Sequence, residues 1–419
     1  MSRVSSLSTI VAGVALLAAC TDQAPTPMGL GLSASHNGLP FTEGLASPAW
    51  QERAAALVSQ AGFNPQTATH AYPLLGVAQY LAVQRAEAAD GGTDVANEHA
   101  GVGIGAGGRN RLELDRGAVA GASVTVLTYL FPSQAQALAD LADAQANAGP
   151  GGLHPAFARG EAVGRAVGAE IVARGQTDGF NRPFAGTIPT GPGLWISNTT
   201  PATIAGGQLP GVTPWFLTSA SQFRPGPPPA FGAAAFLAAR DEIRQISDAR
   251  TAEQIGIAAY WALSVGTPTT AGFWIQVATD GINQHSLSER EATHLYALLS
   301  ATIFDAQIGC WDAKETYWFI RPWQADPLIT VVAAVGKPNH PSYPSGHSCL
   351  SASGADVLSM FFPEQRDRLN AMVAEAGLSR MYGGIHYRFD IDAGQELGRN
   401  VARFTIAADA SGNSVLTPR

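Results

Sequence analysis

The chain has 419 residues, of which 46% are hydrophobic, and a formal net charge of −8. This length and apolar content suffice for a large buried core, and a negative balance without a long basic run argues against a nucleic-acid partner. Arginine carries almost all of the positive charge, because Lys314 and Lys337 are the only lysines.

The first 19 residues have the pattern of a signal peptide. Arg3 precedes residues 7–19, which are mostly apolar but too few to span a membrane. The following Leu-Ala-Ala-Cys is similar to a bacterial lipoprotein signal, in which Cys20 would be acylated as the mature N-terminus; an ordinary secretory signal is the alternative. By the same resemblance, Thr21 favours the outer membrane. We therefore expect an exported protein, on the periplasmic side or at the cell surface, held only by its lipid anchor.

The rest of the chain reads as a tether followed by one helical domain. Residues 20–46 are small, polar and rich in Gly and Pro, which predicts a flexible tether. Residues 47–410 predict the domain, since apolar residues recur at three- and four-residue spacing, and 411–419 predict a tail. Ser47 is the expected N-cap of the first helix. Predicted helices cover 47–60, 67–85, 131–146, 160–175 and 251–264.

The longest predicted helix covers residues 287–320. Ser288 and Glu291 have the spacing of a capping box at its start, and the proline of Arg321-Pro322 disfavours its continuation. The Gly- and Pro-rich residues 176–232 predict a long irregular excursion packed over the helices. No segment after the signal reaches 18 uninterrupted apolar residues, so we expect no membrane span there.

Several other patterns carry little functional information. Gly103–Gly108 has the glycine spacing of a dinucleotide-binding turn, but no strand precedes it, so we interpret it as a loop. The sequence contains no HExxH, CxxC or EF-hand pattern. Cys310 and Cys349 are too few for a disulfide framework; one bridge is open, and two buried thiols are favoured. Unpaired histidines are interpreted as surface or structural residues: His70, His99, His154, His285 and His294.

Two cations and two indoles lie near the end of the longest predicted helix. Lys314 and Arg321 are seven residues apart and would share one helical face. Trp311 and Trp318 would lie on that same face. A solvated Lys/Arg pair is the simpler interpretation, but it does not explain why one of only two lysines is here.

The second chemical segment is Pro344-Ser345-Gly346-His347, which precedes a helical sequence. Ser345 is a natural N-cap, and Gly346 permits close backbone approach to a ligand. A helix start presents free N–H groups and the positive end of its dipole, so it attracts oxyanions, and His347 in the first turn would face one. A capped proline turn without function is the alternative here.

The third segment supplies Arg380, His386 and Asp390. His386 and Asp390 are four residues apart, so the carboxylate can accept one imidazole N–H and fix the tautomer of the ring. The three segments together contain three cations, a hydroxyl, a helix start, an acid–base histidine and a buttressed histidine. This set suits a tetrahedral oxyanion that a histidine attacks, either phosphate or vanadate.

The three-part pattern Lys-x6-Arg-Pro, Pro-Ser-Gly-His and Ser-Arg-x5-His-x3-Asp resembles the signature of a known superfamily. It joins type 2 phosphatidic-acid phosphatases (PAP2), bacterial acid phosphatases and vanadium-dependent haloperoxidases. Trp311-Asp-Ala-Lys314 and GIHYRFD, with Tyr387 in place of Trp, are similar to the haloperoxidase branch. The resemblance covers most of residues 50–410 and is strong from 300 onward. It implies an all-α helical bundle of the PAP2/haloperoxidase type with long irregular loops, and catalytic motifs within 300–400.

The resemblance also implies a role for each matching residue. His386 would bind vanadium and Asp390 would orient it, while His347 would be the acid–base residue and Lys314 would polarise the bound peroxide. Trp311 and His340 would line a halide pocket, and a histidine at position 340 is similar to bromide-using members. The vanadate oxygens would be neutralised by Lys314, Arg321, Ser345, Gly346 and Arg380.

These roles predict a vanadate-dependent haloperoxidase that oxidises bromide or iodide with hydrogen peroxide to hypohalous acid. An exported acid phosphatase is the first alternative, with His386 forming a phosphohistidine and His347 protonating the leaving group. It would need no vanadate. A non-catalytic surface lipoprotein is the second alternative. An organic substrate and the oligomeric state are left open.

Overall fold

The computed structural model of the protein describes residues 44–91, 106–148 and 152–417. Over these residues it contains thirteen α-helices and no β-sheet, so the expected all-α fold is confirmed. Short 3-10 turns occur at Pro132–Gln134, Leu209–Gly211 and Pro363–Gln365. The helices are α1 Ala46–Gln60, α2 Pro65–Ala89, α3 Ala106–Leu130, α4 Ala135–Ala146, α5 Pro155–Thr177, α6 Ala234–Ala249, α7 Ala252–Tyr260, α8 Thr269–His285, α9 Glu289–Tyr317, α10 Pro322–Ala325, α11 Gly346–Phe361, α12 Arg366–Tyr382 and α13 Arg388–Ala410.

Some features expected from the sequence lie outside the described residues. They are the signal peptide with Cys20, the tether up to residue 43, His99, and the first glycines of the Gly103–Gly108 pattern. Within the described ranges, no helix combines the length and apolar character that crossing a membrane requires. The start and the membrane attachment of the chain therefore stay predictions.

Helix α9 forms the centre of the bundle. Residues on all of its sides are buried along most of its length, from Ala292 to Lys314, as expected for a helix surrounded by others. It packs against α2, α8, α11 and α13. The predicted capping box is confirmed, since Ser288 and Glu291 exchange side-chain and backbone hydrogen bonds at the start of the helix.

The start of α1 differs from the sequence prediction. The helix begins at Ala46 with Leu45 as N-cap, so the prediction of Ser47 as the capping residue is wrong. Glu289 of α9 caps α1 instead, because its carboxylate accepts the N–H groups of Ala46 at 2.6 Å and Ser47 at 2.9 Å. Its burial raises the pKa of the Glu289 carboxyl. The first helix is therefore anchored to the centre of the bundle.

The long excursion predicted at 176–232 is present between α5 and α6, where only the 3-10 turn Leu209–Gly211 is helical. Asp305 of α9 holds its middle part. The buried carboxylate accepts the N–H groups of Trp215 at 2.8 Å, Phe216 at 2.7 Å and Leu217 at 2.9 Å. Burial raises the pKa of Asp305 to about 6 although these hydrogen bonds favour the ionised form. One side chain thus fixes the irregular segment to the bundle.

A close crossing of α13 over α11 brings two segments of the predicted signature together. A Cβ added at Gly394 would lie 2.7 Å from the carbonyl oxygen of Ser345, and one at Gly398 would lie 2.3 Å from that of Cys349. Side chains at these positions would push the two helices apart. Glycine therefore allows the start of α11 to lie directly against α13.

We expect Asp305→Ala to lower the free energy of unfolding by about 3 kcal/mol or more, since each buried N–H left without an acceptor costs about 1–3 kcal/mol. Urea unfolding of both proteins, followed by circular dichroism, measures this loss. Asp241→Ala is the matched control, because Asp241 pairs with Arg240 at the surface, and we expect it to stay within about 0.5 kcal/mol of the wild type. Equal losses in the two variants would contradict the anchoring role of Asp305.

Candidate oxyanion-binding active site

The end of α9 positions the first predicted cation. The helix ends at Tyr317, because Trp318 adopts a left-handed conformation with φ 47° and its N–H closes onto the carbonyl of Lys314. The expectation that Lys314, Trp318 and Arg321 share one helical face is therefore wrong. Trp318 is half-buried and stacks against Trp195 at 6.2 Å between ring centroids. Arg321 lies beyond the helix, immediately before α10.

Lys314 is completely buried, and its ammonium group is surrounded by main-chain oxygens. Nζ donates to the carbonyls of Pro341 at 2.8 Å and Ser342 at 3.0 Å, and also to that of Pro344. Burial lowers the pKa of Lys314 to about 8. The lysine therefore holds the loop before α11 in place and adds positive charge beneath it.

Arg321 connects that loop to the third segment. Its Nε donates to the His340 carbonyl at 3.0 Å, and its Nη1 donates to the Ile385 carbonyl at 2.7 Å. Nη1 also lies 3.0 Å from Nε2 of His386. The guanidinium is fully buried, and burial lowers its pKa without removing its charge.

Arg380 lies in the last turn of α12 and is buried like the other two cations. Its Nε donates to Oγ of Ser379 at 2.9 Å, and its Nη2 donates to the carbonyl of Ala258 in α7 at 3.1 Å. Burial lowers the pKa of this guanidinium as well. The sequence offered no indication that α7 contributes to the site.

The turn before α11 has the predicted capping geometry. Ser345 is the N-cap, and its hydroxyl accepts the N–H of Ser348. A Cβ at Gly346 would meet only the Trp311 ring, at an ordinary 3.5 Å, so packing alone does not require glycine there. His347 follows, and its Nε2 lies 2.9 Å from the carbonyl oxygen of Trp261, the C-cap residue directly after α7.

His386 and Asp390 are in contact as predicted, although they do not share a helical turn. His386 precedes α13, Tyr387 is its N-cap, and Asp390 lies in its first turn. Nδ1 of His386 is 2.8 Å from Oδ2 of Asp390, and both residues are buried. The same carboxylate oxygen accepts the N–H of Tyr387 at 3.1 Å. Burial raises the pKa of the Asp390 carboxyl to about 6 and lowers that of the His386 imidazole.

His340 and Trp311 lie side by side next to these groups, with ring centroids 5.0 Å apart. The Nδ1 atom of His340 is 3.1 Å from Nη2 of Arg321. The indole N–H of Trp311 donates to the carbonyl of Ala205 in the long excursion, at 2.8 Å. Only the ring of Trp311, and not its N–H, is therefore available to a ligand.

The charges of this site are unbalanced. None of Lys314, Arg321 and Arg380 forms a salt bridge with a carboxylate in the described part of the chain. Asp390 is the carboxylate in contact with the site, and it is engaged by His386. Three buried cations near one carboxylate favour a ligand with several negative charges.

Residues outside the predicted signature also contribute contacts. Ser342 donates its hydroxyl to Oδ2 of Asp390, and main-chain carbonyls of Ala258 and Trp261 accept from Arg380 and His347. Trp261 is itself held by its indole N–H, which donates to Glu375 at 2.8 Å. The serine in PSYPSGH was the one visible signal, because main-chain contacts leave no trace in the sequence.

Cys310 and Cys349 are both buried free thiols, as predicted. Four of the histidines that lack paired spacing in the sequence lie in the described residues, and they too are in structural contacts. His70 pairs with Asp178 at 2.7 Å and His294 with Asp409 at 2.7 Å. His154 caps α5, and His285 contacts Glu364.

Comparison with known proteins agrees with this geometry. Residues 292–410 match the PAP2 superfamily. A non-specific acid phosphatase of Providencia stuartii is 33% identical over 112 residues, which are 26% of this chain and 45% of the phosphatase. The chain spans less than half the length of the curated relatives it matches.

Solved structures resemble the whole described domain. The crystal structure of a bacterial vanadium-dependent iodoperoxidase has a TM-score of 0.68 at 23% identity, covering 87% of this chain and 96% of that one. A holo-type bacterial vanadium-dependent chloroperoxidase has a TM-score of 0.64 at 16% identity, with coverage of 87% and 96%. The comparisons thus show a match of residues 292–410 to the PAP2 superfamily and a fold like that of these haloperoxidases over most of the chain.

The pKa of Lys314 leads to a pH-dependent prediction. Above about pH 8 the ammonium of the ligand-free protein loses its charge, so the affinity for an oxyanion should fall by up to about tenfold per pH unit. Calorimetric titration with dilute tungstate between about pH 7.5 and 9.5 measures this, since tungstate is a doubly charged tetrahedral anion over that range and condenses to polyanions only at lower pH.

Lys314→Met should bind tungstate more weakly and lose this alkaline decline. The only other lysine provides a matched control, because Lys337 is exposed and Lys337→Met should leave the affinity unchanged. A pH profile of Lys314→Met that matches the wild type would show that the lysine does not act on the ligand.

Proposed function

We propose that the protein is a vanadate-dependent haloperoxidase that oxidises bromide or iodide with hydrogen peroxide to hypohalous acid. The observation that carries this proposal is the convergence of three buried cations, without carboxylate partners among the described residues, on a histidine buttressed by Asp390. The likeness to haloperoxidase structures over most of the chain supports it.

The donor set fits vanadate. Lys314, Arg321 and Arg380 supply the positive charge that a multiply charged oxyanion needs, and Ser345 with the N–H of Gly346 supplies neutral donors at a helix start. His386 would bind the vanadium. When bound, vanadate supplies Lewis acidity that activates hydrogen peroxide toward a halide.

The two histidines are prepared for different tasks. A guanidinium only donates hydrogen bonds, so the Arg321 contact makes Nε2 of His386 the unprotonated nitrogen and leaves the proton on Nδ1, facing Asp390. For His347, the Trp261 carbonyl requires a proton on Nε2, which leaves Nδ1 able to accept one. Burial lowers the pKa of His347, so it is neutral at neutral pH and can take the proton that hydrogen peroxide releases.

His340 and Trp311 are the proposed halide-binding residues. Nδ1 of His340 lies 3.1 Å from Nη2 of Arg321 and 3.3 Å from the carbonyl oxygen of Pro341, so Nε2 is the nitrogen left without such a contact among the described residues and the one that could face an anion. The neighbouring Trp311 ring supplies an apolar, polarisable surface. A histidine at this position supports bromide or iodide as the halide.

Acid phosphatase activity is the second candidate, and the curated relatives named non-specific acid phosphatase favour it. The same cations would hold a phosphomonoester. The unprotonated Nε2 of His386 would attack phosphorus, and His347 would protonate the leaving oxygen. This activity would need no vanadate.

We further propose that the protein is exported and lipid-anchored through Cys20. Mass spectrometry of the N-terminal peptide of the protein, isolated from native membranes, tests this. An acylated Cys20 is the expected result. An unacylated peptide that begins after Cys20 would favour an ordinary secretory signal. An unacylated peptide that begins before Cys20 would show that the signal is not processed at this residue.

We expect the chelator-treated full chain to oxidise bromide and iodide with hydrogen peroxide only after orthovanadate is added. Halide oxidation is followed by halogenation of a dye, and 4-nitrophenyl phosphate hydrolysis is measured in parallel. Efficient phosphate hydrolysis that vanadate only inhibits would overturn the proposal in favour of a phosphatase. If neither activity is detected, the result would favour a non-catalytic surface protein.

His386→Ala should lower vanadate-dependent halide oxidation by at least about 100-fold, because the proposed metal ligand is lost. His294→Ala is the matched control, since His294 is bonded to Asp409 away from the signature residues, and it should keep near wild-type activity. Comparable activity in the two variants would remove His386 from the proposed site.

A further inference from the structure

We propose that Ser342 is a positioning residue, which holds the Asp390 carboxylate in place and thereby keeps His386 in the tautomer that the oxyanion site requires. This inference rests on the proposed function only in that His386 must present an unprotonated Nε2, a requirement that haloperoxidase and phosphatase chemistry share. No part of the three-part signature includes Ser342.

The hydroxyl of Ser342 contacts the buttress of His386 directly. Both Ser342 and Asp390 are fully buried, and Oγ of Ser342 donates to Oδ2 of Asp390 at 2.5 Å. The same oxygen accepts from Nδ1 of His386 and from the N–H of Tyr387. Three donors therefore converge on one carboxylate oxygen.

The other carboxylate oxygen provides no restraint. Oδ1 of Asp390 is buried and has no hydrogen-bond partner among the described residues. The orientation of the carboxylate consequently depends on the donors to Oδ2. Two of them belong to the segment that Asp390 itself caps, residues 386 and 387, whereas Ser342 comes from a different part of the chain.

The main chain of Ser342 ties this residue to the rest of the site. Its carbonyl accepts from Nζ of Lys314 at 3.0 Å, and its N–H donates to the carbonyl of Phe319 at 2.9 Å. Ser342 thus joins the end of α9, the loop before α11 and the start of α13. Because these main-chain contacts fix the position of Ser342, its hydroxyl can hold the Asp390 carboxylate in one orientation.

Loss of the Ser342 hydroxyl should lower the population of the His386 tautomer that carries its proton on Nδ1. Arg321 donates to Nε2 and Asp390 accepts from Nδ1, so the present tautomer is defined from both sides of the ring. Without Ser342, a buried carboxylate with fewer donors can turn and its hydrogen bond to Nδ1 weakens. The ring can then rotate or exchange its proton, and Nε2 is presented less often.

The test compares Ser342→Ala with Ser342→Thr, which keeps a hydroxyl, and with Ser342→Cys, which keeps the volume but has only a weak donor. Ser353→Ala is the matched control, because Ser353 is an equally buried serine whose hydroxyl, among the described residues, donates to the Leu350 carbonyl and not to a carboxylate. Circular dichroism and urea unfolding establish which variants are folded.

Two measurements are made on the full chain. Imidazole nitrogen chemical shifts report the tautomer of His386, whose signal is assigned by its absence in His386→Ala. Calorimetry reports the affinity for orthovanadate and for orthophosphate. We expect Ser342→Ala to lose the single Nδ1–H signature and to bind both anions about tenfold more weakly, as removal of a hydrogen bond to a charged group predicts. Ser342→Thr should recover most of the affinity, and Ser353→Ala should match the wild type.

A wild-type tautomer and an affinity within about twofold in folded Ser342→Ala would overturn the proposal. Equal losses in folded Ser342→Ala and Ser342→Thr would also overturn it, since packing and not the hydroxyl would then be responsible. If the alanine variant fails to fold, Ser342→Cys decides by the same two criteria. The tautomer measurement needs no ligand, so it tests Ser342 even if the wild type binds neither anion and the proposed function fails.

Discussion

Three positive charges buried together are the constraint on which the C-terminal half of the chain depends. A buried cation without a partner is costly, and Lys314, Arg321 and Arg380 are almost wholly removed from solvent. Carbonyl oxygens accept N–H groups from all three, so each cation fixes the main chain around it. The charge itself stays largely uncompensated, and a bound oxyanion would stabilise the folded state by mass action.

The helices and the irregular segments contribute differently to the burial of these cations. Helices α9 and α12 bring Lys314 and Arg380 into the interior, while the loop before α11 supplies the oxygens that lysine and arginine need. Irregular chain is unstable when buried without partners. In the long excursion between α5 and α6, the Asp305 carboxylate supplies the acceptor for buried N–H groups. The Ala205 carbonyl of the same excursion accepts the indole N–H of Trp311.

The sequence predicted those parts of the molecule that depend on local spacing. The all-α class, the capping box at Ser288, the N-cap at Ser345 and the contact between His386 and Asp390 all follow from residue type and separation. Helix ends were predicted less well. Nothing in the sequence showed that Trp318 would adopt a left-handed conformation and place Arg321 outside α9.

Contacts made through the main chain could not be predicted at all. The carbonyls of Ala258 and Trp261 hold Arg380 and His347, yet any residue has a carbonyl, so no pattern marks α7. The cap of α1 by Glu289 was missed for a related reason, because its partners are 242 and 243 residues away in sequence. Such contacts become visible only when tertiary structure brings the segments together.

The use of α7 carbonyls has a consequence for how this site can change over evolution. The atoms that orient His347 and Arg380 persist whatever side chains α7 carries, provided that the helix and its indole anchor to Glu375 remain. Exposed positions such as Ile255 can therefore be substituted without removing the carbonyl contact of His347. Substitutions on the outer surface of α7 are in this way uncoupled from the buried contacts of the site beneath it.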